Sequence, residues 1–191
     1  TGSVFFGRGV GWFVRSVIRF VSPVYWAYVR VFLASPLKTV LNQENYVLVL
    51  LHYHPERTTS SIATDTPFEA KRGNAIAKLL PNRKIVVIEP PLNLRGFTYF
   101  MYRSISSLRS MLSNQNVFYL LPFDKRFYPS VCSNALLSIS TSGTHALESI
   151  QLGVPAVHFS NSFAKGMFGV LSLTSVDELD LDRIYKIREE L

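Results

Sequence analysis

Residues 136–159, LLSISTSGTHALESIQLGVPAVHF, decide the fold. Leu136, Leu137 and Ile139 form a short apolar run of the kind that makes a buried strand. Ser140, Thr141, Ser142, Gly143 and Thr144 then interrupt it with small polar groups. Ala146, Leu147, Ile150 and Leu152 follow at helical spacing and suit a short helix lying on a sheet. Gly153 fits a helix C-cap, Pro155 follows it, and Val154, Ala156, Val157 and Phe159 resume a strand. A β-turn-α-β unit of this kind closes right-handed with parallel strands.

The turn is the place where chemistry can sit. Amides at the start of a helix lack internal partners and face the positive end of its dipole, which favours an anion. Gly143 allows a ligand to approach the backbone, and Thr141, Ser142 and Thr144 supply hydroxyls. Glu148, one turn into the helix, can accept hydrogen bonds from a sugar diol. The same residues also suit a plain structure, with Ser142 or Thr144 capping the helix and Glu148 a solvated surface charge.

Working backwards along the chain, strand and helix alternate. The run YVLVLL at 46–51 suits a central parallel strand, followed by a polar loop from His52 to Thr59. A helix is predicted over 67–80, and a strand over 85–88 that Glu89-Pro90-Pro91 ends. A second helix is predicted over 97–112, a third strand over 117–121, and a connection with one helical turn over 123–133. A charged helix or pair of turns closes the chain over 177–191. This alternation predicts an α/β fold with a doubly wound, mostly parallel, Rossmann-like sheet. Ligands of such sheets bind beyond the carboxyl ends of the strands. There the segments His52–Thr59, Glu89–Arg95 and Ser140–Glu148 are expected to converge.

The chain has 191 residues, 48% hydrophobic and 17% charged, enough for a domain with a sizeable core. Its lone cysteine, Cys132, excludes an internal disulfide framework and reads as a buried small apolar residue. No GxGxxG, Walker loop or CxxC is present, and His52 and His54 have no evident third metal ligand. The start at Thr1, without methionine, is expected of a fragment or a processed product.

The net charge of +7 is unevenly placed. Before Glu44 there is no acidic residue, while Arg8, Arg15, Arg19, Arg30 and Lys38 are basic. The remainder is close to balanced and holds no nucleic-acid-binding motif, so no nucleic-acid partner is expected. Two domains are expected: an N-terminal helical segment over 1–43 and the Rossmann-like lobe over 44–191. The segment is aromatic, with Phe5, Phe6, Trp12, Phe13, Phe20, Tyr25, Trp26, Tyr28 and Phe32, but Arg15, Arg19 and Arg30 interrupt any membrane span. Either its helices, around Pro23, pack on the body or on a missing domain, or its basic aromatic face rests on anionic lipid; the two are compatible.

The phrases LLHYHPERTTS, AIAKLLPNRKIVVIEP and ALLSISTSGTHALESIQLGVPAVHFSNS, in that order, resemble bacterial capsule and surface-polysaccharide biosynthesis proteins. These resemble GT-B glycosyltransferases, which hold a nucleotide-activated sugar between two Rossmann-like lobes. The resemblance runs from about Tyr46 to the C-terminus and covers the donor-binding lobe, so it implies a missing N-terminal lobe as partner. It implies that Ser140, Thr141, Ser142, Gly143 and Thr144 hold donor phosphate and that Glu148 faces the ribose or sugar. His54 and Glu56 would be the catalytic pair, with His54 as acid or base, and Arg57 would be a phosphate contact. Each also has a structural reading: His54-Pro55-Glu56 as a turn and Arg57 as a surface ion pair. Where relatives carry a His-Pro pair, this chain reads Glu89-Pro90-Pro91, so either Arg95 or another group substitutes, or donor binding is weakened.

The expected function is therefore a glycosyltransferase of surface-polysaccharide assembly, with a glycan or lipid-linked acceptor. It would be cytoplasmic, at the inner membrane face, and without a cofactor or obligatory metal. A nucleotide-sugar 2-epimerase and a degenerate, non-catalytic scaffold lobe are the alternatives.

Overall fold

The structure, a computed structural model, describes residues 23–51, 69–89, 105–122, 124–140, 145–158, 166–173 and 176–191, with backbone alone at 69–72, 105–107 and 176. Among the described residues six strands make one sheet: β1 (Tyr46–Leu50), β2 (Ile85–Ile88), β3 (Val117–Leu120), β4 (Ala135–Ser140), β5 (Ala156–His158) and β6 (Val170–Ser172). The helices are α1 (residues 23–32), α2 (Leu37–Leu41), α3 (Glu69–Leu79), α4 (Ile105–Leu112), α5 (Tyr128–Ser133), α6 (His145–Gln151) and α7 (Leu181–Glu190).

Strand order is β3-β2-β1-β4-β5-β6, and every neighbouring pair is parallel. The expected doubly wound α/β fold is thus present. Its order reverses between β1 and β4, and such a reversal opens a crevice beyond the strand ends.

Both faces of the sheet are covered, which is why the strands read as continuous apolar runs. All five residues of β1 are buried. Val47, Val49, Ile85, Val87, Tyr119, Leu137, Ile139, Val157 and Leu171 share one core with Ile76, Leu108, Met111 and Ile184 of α3, α4 and α7. Tyr46, Leu48, Leu50, Val86, Ile88, Leu120 and Ala135 face the other way, against Val40 of α2 and Val131 and Cys132 of α5. A one-residue register shift against Tyr46/Val47 accommodates Leu136, so Leu136 and Leu137 both enter the first core.

Tyr25 and Val29 of α1 also lie in that first core, so α1 packs on the body. Just after it, the Ser35 amide donates to the Tyr119 carbonyl at 2.7 Å, and the Tyr119 amide donates to Ser35 Oγ at 3.2 Å. Ser35 thus blocks the outer edge of β3, which would otherwise be open to pairing.

Local expectations are met in detail at α6. Gly153 takes φ 73°, its amide reaches Ile150 O at 2.9 Å, and the Val154 amide reaches Ser149 O at 3.0 Å. That is a Schellman C-cap. Elsewhere the chain is more structured than its sequence suggests. The connection over 123–133 holds a 3₁₀ turn, Lys125–Phe127, running into α5, with the Asp124 carboxylate accepting the Arg126 amide. Strand β6 was not foreseen, because three residues are too short to show a period. The C-terminal helix α7 starts at Asp180, whose side chain accepts from the amides of Asp182 and Arg183. Predicted helix residues 67–68 and 97–104 lie outside the described residues.

Candidate functional site

The carboxyl ends of the strands are in register. Leu120, Ile88, Leu50, Ser140, His158 and Ser172 form one row of Cα partners across the sheet. The row changes character at the topological switch. Leu120, Ile88 and Leu50, on the β3-β2-β1 side, are apolar and buried, whereas Ser140 and His158, on the β4-β5 side, are polar and buried. One layer deeper on the same face Ser138 is buried too, and above it Ser149 of α6 is buried. The carboxyl end of β4 and its neighbour β5 is therefore polar, while that of β1 is hydrocarbon.

The three polar segments singled out in the sequence start from three adjacent strands: 52–59 after β1, 89–95 after β2 and 141–144 after β4. The Leu51 amide donates to Ile88 O at 3.1 Å, so β1 and β2 stay paired up to the start of their loops. His54, Glu56, Arg57, Arg95, Thr141, Ser142, Gly143 and Thr144 lie outside the described residues. Among the expected site residues, Ser140 and Glu148 are described.

Ser140 ends β4 with its side chain 4% exposed, on the face covered by α6. Glu148 is exposed in the first turn of α6, and its Oε2 lies 3.1 Å from Nδ1 of His145. An exposed pair like this contributes little stability, about 0–1 kcal/mol, so its carboxylate can exchange partners cheaply. Four residues join Ser140 to His145, so α6 starts close to the sheet rim.

Beneath α6 is a compact polar seam. Ser149 Oγ donates back to the His145 carbonyl at 2.8 Å, and Cys132 Sγ lies 3.5 Å from Ser149 Oγ. Burial pushes the Cys132 thiol and the Tyr128 and Tyr46 hydroxyls up from their ordinary pKa values. The Tyr46 hydroxyl donates to the Val131 carbonyl. Cys132 is fully buried, as its reading as a small apolar residue implied, and its raised pKa makes it a poor nucleophile. The helix face was expected to be Ala146, Leu147, Ile150 and Leu152, yet its fully buried members are Ala146 and Ser149. Ser149 satisfies its own hydroxyl within the helix, so it can occupy an apolar face, and periodicity alone misses it.

Sequence reasoning placed Glu89 only at the head of the segment 89–95 and gave it no role of its own. Read as part of a strand-ending Glu-Pro-Pro, it is, among the described residues, the one buried carboxylate. It stands immediately after β2, its amide donating to Leu120 O at 2.9 Å, and its Oε2 accepts from the Tyr119 hydroxyl at 2.6 Å. The signal available was a lone acid directly after an apolar run of four.

A cavity of about 290 Å³, lined by Pro81, Asn82, Arg83, Lys84, Asn116 and Phe118 among others, sits at the amino ends of β2 and β3. It is on the opposite rim from the switch point. No group of three or more metal-ligating side chains occurs among the described residues.

No family model and no curated protein matches the chain. Solved structures do. The beta Kdo 2,7 transferase KpsC of Thermosulfurimonas dismutans aligns at 12% identity and a TM-score of 0.51, over 90% of this chain and 53% of that one. The beta Kdo 2,4 transferase of the same organism's KpsC aligns at 15% and 0.52, over 81% and 47%. The UDP-GlcNAc 2-epimerase of Methanocaldococcus jannaschii, solved with UDP-GlcNAc and UDP, aligns at 16% and 0.54, over 80% and 40%. The chain thus spans about half or less of the length of each. At such identities the likeness is one of fold: a Rossmann-like lobe of the GT-B kind, in agreement with the sequence resemblance.

Proposed function

We propose that the chain is the nucleotide-sugar-binding lobe of a glycosyltransferase that assembles a bacterial surface polysaccharide. One observation carries this reading. Segments 52–59, 89–95 and 141–144 depart from β1, β2 and β4, which are adjacent, in register, and astride the reversal of strand order. A ligand in that crevice meets all three. The likeness to Kdo transferase folds and the ordered sequence resemblance supply the chemistry.

In this reading the hydroxyls and amides of Thr141, Ser142, Gly143 and Thr144 hold the donor phosphates, with Ser140 anchoring their turn to the sheet. Glu148 leaves His145 to accept from the ribose or sugar hydroxyls. Arg57 and Arg95 add positive charge, and His54, next to Glu56, moves the proton. Catalysis rests on fixed donors that stabilise the departing nucleotide phosphate as charge develops on it. A second lobe supplies the acceptor side.

A thermal-shift titration tests the site directly. Cytidine and uridine mono- and diphosphates and their sugars are expected to raise Tm saturably for one base, because ligand at 100 times Kd stabilises by about 2.7 kcal/mol. No shift with any of them at millimolar concentration would overturn the reading. The second enzyme reading, a nucleotide-sugar 2-epimerase, is favoured by the epimerase fold match. Product analysis separates the two, since an epimerase returns a nucleotide sugar without needing an acceptor.

A further inference from the structure

We propose that the outward face of α1 docks on an anionic lipid surface, with Val24, Val31 and Phe32 entering the interface and Arg30 and Arg109 meeting lipid phosphate beside it. The inference is independent of the nucleotide-sugar reading, because it concerns a different face of the lobe.

Helix α1 is apolar on both sides. Its inner side is accounted for: Tyr25 and Val29, four residues apart, are buried in the core, with Trp26 and Leu33 packed against it. The outer side is not. Val24 and Val31 are each 70% exposed, and Phe32 is 69% exposed. Val24, Ala27 and Val31 fall on one stripe, at the i, i+3, i+7 spacing of a single helix face. A helix with hydrocarbon all round is normally covered all round.

Charge identifies the cover. On one flank of the stripe stands Arg30, exposed. On the other, Arg109 of α4 lies over the Tyr28 ring at 5.6 Å and donates to the Tyr28 hydroxyl. Tyr28 in turn lies against Phe32, with ring centroids 5.0 Å apart. The apolar stripe is therefore edged by cations on both sides, and the first 43 residues contain no acid. A second copy of the chain brought face to face across a two-fold axis would set arginine against arginine. A bilayer rich in acidic headgroups offers hydrocarbon for the stripe and phosphate for its edges. No helix among the described residues is long and apolar enough to cross a bilayer. The geometry is that of a helix lying in the interface plane.

The test uses the full 191-residue chain, sedimented with vesicles of phosphatidylcholine containing phosphatidylglycerol, or of phosphatidylcholine alone. Binding is expected to the acidic vesicles, to weaken at least tenfold without the acidic lipid, and to fall with added salt. The double variant Val24→Glu/Val31→Glu should lose at least tenfold in vesicle affinity, and Arg30→Glu several-fold. Both variants should keep the parent's thermal midpoint and its response to nucleotide, since these side chains are solvent-facing. Absence of binding to acidic vesicles at low salt would overturn the proposal. So would undiminished binding by the double variant, or conversion of a dimer to a monomer by Val31→Glu without vesicle binding. Loss of nucleotide response in the parent protein would bear on the switch-point site and leave this result untouched.

Discussion

The hydroxyl of Tyr119, on β3, donates to the carboxylate of Glu89, just past the end of β2, across 2.6 Å and with Glu89 wholly out of solvent. A buried carboxylate is costly unless donors compensate it. The pair therefore ties together the carboxyl ends of two neighbouring strands beside the crevice. Its tyrosine belongs to the same residue whose backbone Ser35 caps at the sheet edge.

Tyr119→Phe removes that donor while preserving the ring. A buried polar group left without its partner costs about 1–3 kcal/mol, so a destabilisation of that size is expected in urea unfolding. Combined with Glu89→Gln in a double-mutant cycle, the two should couple by about 0.5–3 kcal/mol. A coupling of zero would show that the contact is incidental.

Glu148→Ala separates the site from the scaffold. Because Glu148 and His145 form an exposed pair, stability should change by less than about 1 kcal/mol. Affinity for the nucleotide sugar, read by calorimetry, should fall about tenfold, equivalent to about 1.4 kcal/mol. Unchanged affinity would remove Glu148 from the binding site.

His54→Ala should lower turnover more than affinity, by about 10²–10⁴-fold in kcat, the range for a lost general acid or base. Equal turnover would leave the His-Pro-Glu segment as a structural turn.

Cys132 gives a signed pH prediction. Burial raises its folded pKa, whereas in the unfolded chain the thiol ionises near about 8.5. Between those two values the unfolded state binds fewer protons than the folded one, so stability falls as pH rises above about 8.5. The raised hydroxyls of Tyr46 and Tyr128 add a second decline above about pH 10, where unfolded tyrosine ionises. Unfolding curves from pH 7 to 10.5 should show this loss, and Cys132→Ala should abolish its first part. At pH 8 a thiol reagent should modify Cys132 rapidly in denaturant and slowly in the native protein.

Much of the architecture was legible from local chemistry. Apolar runs of four to six residues, bounded by Pro, Gly and polar clusters, marked β1 to β3, since strands buried on both faces are mostly hydrocarbon. Strands β4 and β5 were read from shorter apolar stretches, and they bury Ser138, Ser140 and His158 as well. Gly153 announced the end of α6, because a left-handed φ costs least without a Cβ. Strand β6 was hidden: it is three residues long, and its partner β5 supplies the register that makes it a strand. Ser149 and Glu89 were hidden for another reason. A polar residue can be buried only where a specific donor or acceptor meets it, and such partners come from distant parts of the chain.

By itself, the sequence determined that this protein is an α/β lobe with a hydroxyl- and glycine-bearing segment after one strand and a basic, acid-free N-terminal stretch. Those properties follow from the chemistry of neighbouring residues. Tertiary structure alone decided that β1 lies between β2 and β4, that the three loop-bearing strand ends share one row, and that α1 keeps an apolar face outward. These are matters of pairing and burial between segments far apart in the chain, and local composition carries no record of which segments meet.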